Sequence, residues 1–309
     1  MKILVTGGAG FIGSHVAEAY LGAGHEVLIV DNFSTGERGN IPSGARFVEL
    51  DISDKEGVES LLENGKFDLI NHHAAQINVR ASVENPQFDA RVNIIGSLNL
   101  LQGCKKTGVK KFIFASTGGA IYGEQDYYPA DEKHPTRPVS PYGIGKLTVE
   151  KYLHFYQIDC GLTFVCLRYG NVYGPRQNPH GEAGVVAIFA SKMLDGQQPI
   201  INGDGLQTRD YVFVGDVARA NLLAIEYPES GIFNIGTETE TDVVRIFELL
   251  KQALGSAAPE KHGPPASGEQ QRSSLSASLA AEKLDWKPEV SLEEGIERTA
   301  DFFKAKIKK

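Results

Sequence analysis

Residues 2–15, KILVTGGAGFIGSH, constrain this chain more than any other stretch. Ile3, Leu4, Val5 and Thr6 make the short apolar, β-branched run of a buried strand. A glycine turn follows at once, and Phe11, Ile12, Val16, Ala17 and Tyr20 then open an amphipathic helix. Strand, glycine turn and helix in succession form a phosphate-binding arrangement: backbone N–H groups at the helix start face the anion, and the helix dipole favours negative charge there. Gly8-x-Gly10-x-x-Gly13 fits the dinucleotide fingerprint, and Gly7-x-x-Gly10-x-x-Gly13 fits a second spacing equally well. A second strand over 25–30 runs into Asp31. A carboxylate there accepts hydrogen bonds from the adenosine ribose hydroxyls and repels a 2′-phosphate, which favours NAD over NADP.

At 309 residues the chain is one large domain or two intimate ones. Its formal charge of −8 argues against a nucleic-acid partner, and an anionic ligand needs local positive groups to offset the field of the whole protein. Cys104, Cys160 and Cys166 are odd in number and lack metal-ligand spacing, as expected of reduced thiols in a cytoplasmic protein. The apolar start is short and already carries the glycine motif, so a signal peptide is not expected. No apolar run reaches bilayer-spanning length, so no membrane association is expected.

Strand and helix patterns alternate through the first half. Strands are expected over 46–50, 67–71, 111–115 and 162–168, with helices over 92–106 and 142–156. Such alternation implies parallel βαβ units and a doubly wound sheet, whose ligand lies beyond the carboxyl ends of the strands. After Tyr169 the texture changes to a stretch rich in Gly, Pro, Asn and His, then a helix over 185–194, a short core strand over 232–235 and an amphipathic helix over 292–304. Residues 255–278, dominated by Gly, Ala, Pro and Ser, read as a solvated linker or as a ligand-covering loop.

Chemistry is expected where strands end. The fifth strand runs into Ser116 and Thr117, whose hydroxyls can bind a substrate oxygen or tie up a turn. Ser140-Pro141 signals a helix start, and Tyr142 and Lys146, four residues apart, share one face of that helix. A tyrosine acting as a base near neutral pH needs its pKa lowered by about three units, or about 4 kcal/mol. A lysine and a cationic nicotinamide ring both favour the phenolate, which suits alcohol oxidation with NAD as hydride acceptor. His72-His73 is a poor metal site, since neighbours on a strand face opposite ways and no third ligand is evident. Tyr122, Tyr127 and Tyr128 read as packing or loop residues.

Together, Gly7-x-x-Gly10-x-x-Gly13, Asp31, Ser116-Thr117 and Tyr142-x-x-x-Lys146 resemble the extended short-chain dehydrogenase/reductase family. The likeness continues through Asp51-Ile52, His73-Ala74-Ala75-Gln76, Asn93, residues 167–175 and Arg209-Asp210-Tyr211-Val212, and is greatest to the UDP-glucose (UDP-galactose) 4-epimerases. The resemblance implies an α/β fold: a Rossmann-type doubly wound parallel sheet over 1–169, joined by the strand near 232–235, and a smaller C-terminal substrate-binding domain mainly over 170–309. It implies NAD bound by Phe11 and Ile12 at the pyrophosphate, by Asp31, Asn32, Ser34, Thr35 and Gly36 at the adenosine ribose, and by Asp51 and Ile52 at adenine. Ala74, Ala75, Gln76, Asn93 and Tyr169 would complete the cofactor site, with Lys146 on the nicotinamide ribose. A UDP-sugar would be held by Asn171, Val185, Asn202, Arg209 and Tyr211, with Glu269, Arg272 and Ser273 near the carboxyl end. The implied reaction is epimerisation at C4 through a transient 4-keto sugar, with Tyr142 as base and Thr117 or Ser116 assisting, and without a metal. A homodimer is implied through the helices over 92–106 and 142–156, whose Val149, Leu153 and Tyr156 are read as apolar positions to be covered.

The chain departs from that pattern in places. Gly118 stands where many epimerases carry serine, Ile77 where some carry lysine, and Ala266 where an arginine often precedes the pair matched by Gly268-Glu269. Ser273 falls where epimerases restricted to unacetylated sugars carry tyrosine, so N-acetylated substrates are expected to fit. Gly118-Gly119 replaces the acidic pair of the 4,6-dehydratases. Rival readings are a UDP-glucuronate 4-epimerase or decarboxylase, which would need a positive group for the sugar carboxylate, and a non-catalytic NAD-binding sensor, which has no use for a tuned phenol.

Overall fold

The computed structural model describes residues 1–180, 184–265 and 270–307. The first half runs β1 (Lys2–Thr6), α1 (Phe11–Gly22), β2 (Glu26–Asp31), β3 (Arg46–Glu49), α2 (Lys55–Gly65), β4 (Leu69–His72), α3 (Val79–Glu84), α4 (Pro86–Ala90), a π-helical turn (Arg91–Ile95), α5 (Gly96–Thr107), β5 (Lys111–Thr117), α6 (Gly118–Ile121), α7 (Pro141–Cys160) and β6 (Thr163–Tyr169). The second half runs β7 (Asn171–Tyr173), α8 (Val185–Leu194), β8 (Ile201–Asn202), β9 (Thr208–Phe213), α9 (Val214–Glu226), β10 (Gly231–Ile235), β11 (Glu240–Asp242), α10 (Val243–Leu254), β12 (His262–Gly263), α11 (Ser278–Leu284) and α12 (Leu292–Ile307).

Seven parallel strands form one sheet in the order β10-β6-β5-β4-β1-β2-β3. The chain moves outward from β1 to β3, then returns to the other side of β1 and moves outward again. The crevice between the carboxyl ends of β1 and β4, where Thr6 pairs with His72, is the switch point at which such sheets bind ligands. Both faces of the sheet are covered, so its central strands are largely apolar, and the polar Asn71 and His72 at the end of β4 are buried and hydrogen-bonded. Ile3, Val5, Ile29 and Ile113 pack with α1 and α9, whereas Leu4, Ile70, Phe112 and Phe114 pack with α2, α5 and α7. A third apolar cluster joins β7, β9, α8, α10 and α12 around Tyr173, Phe189, Phe213 and Phe247. There β9 lies between antiparallel β11 and parallel β7.

Two expectations change. The helix expected over 92–106 begins as the π-turn before α5, because Asn93 turns inward to hydrogen-bond Gln76 and Asp89. Val149, Leu153 and Tyr156 are not a stripe awaiting a partner: all three are buried in the chain's own core. The uncovered apolar positions of α7 lie on its other side, at Tyr152, Phe155 (53% exposed) and Ile158 (75%). They continue across α4 and the π-turn, which pack on α7, to Phe88 and Ile95. Residues 255–278 are no loose linker where described. β12 pairs with β8, and Ser273, Ser274 and Leu275 are buried, with Ser274 N–H donating to Gln125 and Leu275 N–H to Asp210. Cys104 and Cys166 are buried and Cys160 exposed, all as free thiols. Among the described residues no helix is long and apolar enough to cross a membrane.

Candidate active site

The glycine turn has the shape of an anion cradle. Gly7 sits at φ +69°, and a Cβ there would lie 2.6 Å from the Ala74 amide nitrogen. A Cβ on Gly13 would lie 2.2 Å from the Gly7 carbonyl oxygen. These glycines let the chain fold back on itself, and no side chain caps the start of α1 at Gly10. The first-turn N–H groups of Phe11, Ile12 and Gly13 therefore face an open cleft.

That cleft is lined from successive strand ends: Gly7 and Gly10 after β1, Asp31, Asn32, Ser34 and Thr35 after β2, Asp51 and Ile52 after β3, Ala74 and Ala75 after β4. Ser116, Tyr142, Lys146 and Tyr169 close its far end. Asp31 is buried, with Oδ2 accepting from Ala9 N–H (3.0 Å) and Oδ1 from Phe33 N–H (2.8 Å). Each oxygen keeps a lone pair, as a ribose diol requires. Burial pushes the Asp51 carboxyl up, but hydrogen bonds from Ser53 and Asn32 outweigh it and hold the group below the usual range. An elongated cleft with a carboxylate at one end, an N–H cradle at its centre and a phenol–ammonium pair at the other fits a dinucleotide.

Three expected cofactor residues stand behind the lining. Gly36 backs onto Asp31, where a Cβ would approach Oδ1 to 2.9 Å. Gln76 and Asn93 bind each other, Asn93 Oδ1 accepting from Gln76 N–H (2.9 Å) and Asn93 Nδ2 donating to the Gln76 carbonyl (2.9 Å). They shape the loop after β4 from outside the cleft.

At the reacting end, Ser140 caps α7 by accepting from Gly143 N–H (3.2 Å), which places Tyr142 and Lys146 on the first turns over β5. Lys146 Nζ donates to the Ala115 carbonyl (2.9 Å) and lies 5.9 Å from the Tyr142 ring centre. Burial brings its pKa down to about 8, against the opposing pull of Asp89 and Glu150. The two candidate hydroxyls part company. Ser116 Oγ donates to buried Glu150 Oε1 (2.6 Å), and Glu150 also holds Arg168 through Nε (3.0 Å) and Nη2 (2.6 Å). Thr117 Oγ1 and the Asn171 amide oxygen both lie beside Gly119: a Cβ there would be 4.0 Å from one and 3.7 Å from the other. A side chain at position 118 would displace buried Leu275, whose Cδ1 a Cβ there would approach to 2.4 Å.

The expected substrate residues gather around β7 and β9. Asn171 is in register with Tyr211. Arg209 Nη1 donates to the Thr208 carbonyl (2.8 Å) at the start of β9. Val185 opens α8, and Asn202 is exposed at the end of β8. Arg272 forms a two-bond pair with Glu240 (2.9 and 2.6 Å) and stacks over Tyr128 (4.0 Å). Ser273 is buried beside it. Glu269, with Ala266 and Gly268, lies outside the described residues.

Sequence reasoning missed Glu150 as the partner of Ser116, Leu275 as the occupant of the space above Gly118, and His73 as a cleft residue. His73 directly follows β4, so the strand-end rule would have found it. His72 and His73 do face opposite ways: His72 bridges Thr6 Oγ1 (2.7 Å) and Ser97 Oγ (2.9 Å), while His73 reaches Tyr169. Tyr122 is fully buried, bonded to Asn234 and Arg168.

Residues 3–236 match the NAD dependent epimerase/dehydratase family. A UDP-glucose 4-epimerase of Thermotoga maritima, solved with UDP-glucose, is 49% identical over 99% of this chain and 100% of its own, with a TM-score of 0.97. A UDP-glucose 4-epimerase of Thermus thermophilus, solved with NAD, is 47% identical over 98% of this chain and 99% of its own, with a TM-score of 0.93. A UDP-glucose 4-epimerase of Mycolicibacterium smegmatis is 42% identical over 99% of both chains.

A titration signature follows from Lys146. Its folded pKa of about 8 lies below the free value of 10.5, so between these pH values the unfolded chain binds more protons and folding stability rises with pH. Urea unfolding of the nucleotide-free protein at pH 7.5, 9 and 10.5 is expected to show wild type gaining stability relative to Lys146→Met across that window. A constant difference would mean that Lys146 titrates at its free value.

Proposed function

This chain belongs to the NAD dependent epimerase/dehydratase family, and on that premise we propose how its residues divide the C4 epimerisation of a UDP-sugar. The enzyme is an NAD-dependent isomerase, and the observation that carries this reading is a nucleotide-shaped cleft ending on Tyr142 and Lys146. NAD, when bound, supplies reversible hydride acceptance at C4, so that a 4-keto sugar forms and is reduced on its other face. The glycine turn and the start of α1 hold its pyrophosphate, Asp31 its adenosine ribose, Asp51 and Ile52 its adenine, and Lys146 its second ribose. Residues 1–169 with β10 are the cofactor-binding part, and the remaining second half is mainly the substrate-binding part.

Tyr142 takes the proton of the 4-hydroxyl and later returns it. The Lys146 ammonium lies on the same helix face and, with a pKa of about 8, is still mostly charged at neutral pH, so it favours the phenolate. Thr117 is the assisting hydroxyl. Ser116 is committed to Glu150, and position 118 is a glycine with no hydroxyl to offer. Arg209 carries the charge of the diphosphate, whereas Arg272 joins it only by releasing Glu240. Asn171, Val185, Asn202 and Tyr211 complete the nucleotide site. Tyr142→Phe is expected to lower kcat by about a hundredfold or more while keeping bound NAD. Thr117→Val is expected to lower kcat about tenfold or more, and Ser116→Ala to leave it within about threefold. The reverse order for the two hydroxyls would transfer the assisting role to Ser116.

Ser273 sets the room around the sugar's second position. Its segment is pinned between β9, through Leu275 N–H to Asp210, and the loop at Gln125, so a larger side chain there has little freedom to swing away. Both plain and N-acetylated UDP-hexoses are substrates on this reading, and Ser273→Tyr is expected to lose only the acetylated ones. Retention of UDP-N-acetylglucosamine turnover by that variant would remove Ser273 as the gate.

The enzyme is a cytoplasmic homodimer on this reading. Phe88, Ile95, Tyr152, Phe155 and Ile158 are large exposed apolar residues on packed neighbouring elements, and monomers rarely leave large apolar patches uncovered. Light scattering at micromolar concentration is expected to give twice the chain mass, and Phe155→Glu a single one. A monomeric wild type would leave the patch to some other use.

A further inference from the structure

Behind the cleft runs a chain of buried polar groups whose proton positions can be worked out. Asn221 Nδ2 donates to the Val217 carbonyl (2.8 Å), which fixes the orientation of the amide. The same Nδ2 donates to Tyr169 Oη (2.8 Å), and Asn221 Oδ1 accepts from Asn71 Nδ2 (2.8 Å). Tyr169 Oη, already an acceptor, lies 3.1 Å from His73 Nε2. Its own hydrogen has His73 Nε2 as the acceptor in reach, so Nε2 is the unprotonated nitrogen of the ring. In a neutral imidazole the proton then sits on Nδ1. Burial, with the Lys146 charge nearby, holds the ring neutral by pulling its pKa down to about 3.

His73 Nδ1 is buried and has no hydrogen-bond partner. Buried donors are seldom left so, and each one calls for an explanation. The residue lines the cleft, and its backbone abuts the glycine turn, where a Cβ on Gly7 would lie 2.8 Å from the His73 carbonyl carbon. We propose that His73 is a further cofactor-positioning residue, locked in its Nδ1–H tautomer by Tyr169 and Asn221 and donating that hydrogen bond to an oxygen at the centre of the bound dinucleotide. The inference rests on the reading of the cleft as the NAD site. Phosphate and second-ribose oxygens are the acceptors that a dinucleotide brings to the glycine turn, and a neutral donor there adds direction without adding charge.

The test uses full-length protein freed of nucleotide, titrated calorimetrically with NAD, ADP-ribose and AMP. His73→Phe keeps an aromatic ring and is expected to weaken NAD and ADP-ribose binding about 3- to 10-fold, the worth of one hydrogen bond, while AMP binding is unchanged. His73→Asn, which keeps an N–H donor near the δ position, is expected to recover most of the loss. In ¹⁵N-histidine spectra of wild type, Nδ1 carries the proton and its resonance moves on adding ADP-ribose. Failure of wild type to bind NAD would overturn the reading of the cleft itself. With wild type binding NAD, equal affinity in His73→Phe, equal weakening of AMP, or a proton found on Nε2 would each overturn the role of His73.

Discussion

The buried ion pair between Glu150 and Arg168 is the interaction on which the catalytic end depends. It ties α7, which carries Tyr142 and Lys146, to β6, and through Ser116 to β5. Both side chains are almost wholly removed from water, so the pair contributes little net stability over an apolar substitute, whereas loss of one partner costs about 3–5 kcal/mol. Its use is geometric. Four charge-assisted or neutral bonds converge on these two side chains from three elements and from Tyr122, leaving α7 little freedom to rotate about its axis. A phenol and an ammonium on one helix face act together only if that face stays turned to the cleft.

Much of this was legible in the sequence because parallel sheets put chemistry at strand ends. Once strands were placed by their apolar runs, Asp31 and Ser116 fell at strand ends, the family resemblance added Asp51 and Ala74, and all four line the cleft. What stayed hidden involves residues that no local pattern links. Helical spacing shows that α7 has apolar stripes but does not say which one faces the core, and Val149, Leu153 and Tyr156 proved to be the inner stripe. The π-turn was invisible because one extra residue per turn barely disturbs a hydrophobic repeat. Glu150, in a helix, reads as a solvated carboxylate until Arg168 arrives from another strand. His73 lost its meaning in the same way: its tautomer is set by Tyr169 and Asn221, both distant in the chain.

The contact between Gly118 and Leu275 reaches beyond packing. Compared position by position with epimerases that carry serine there, this chain looks as though it has lost a reactive hydroxyl. Here the leucine occupies the volume that a side chain at 118 would need, and Thr117 stands one residue earlier at the end of β5. The two positions are therefore coupled in one direction: a side chain at 118 requires the Leu275 side chain to shift or shrink, whereas a smaller residue at 275 leaves Gly118 as it is. The order of change matters: serine at 118 fits without displacing a neighbour only after residue 275 has become smaller, and that step costs the packing of a fully buried leucine.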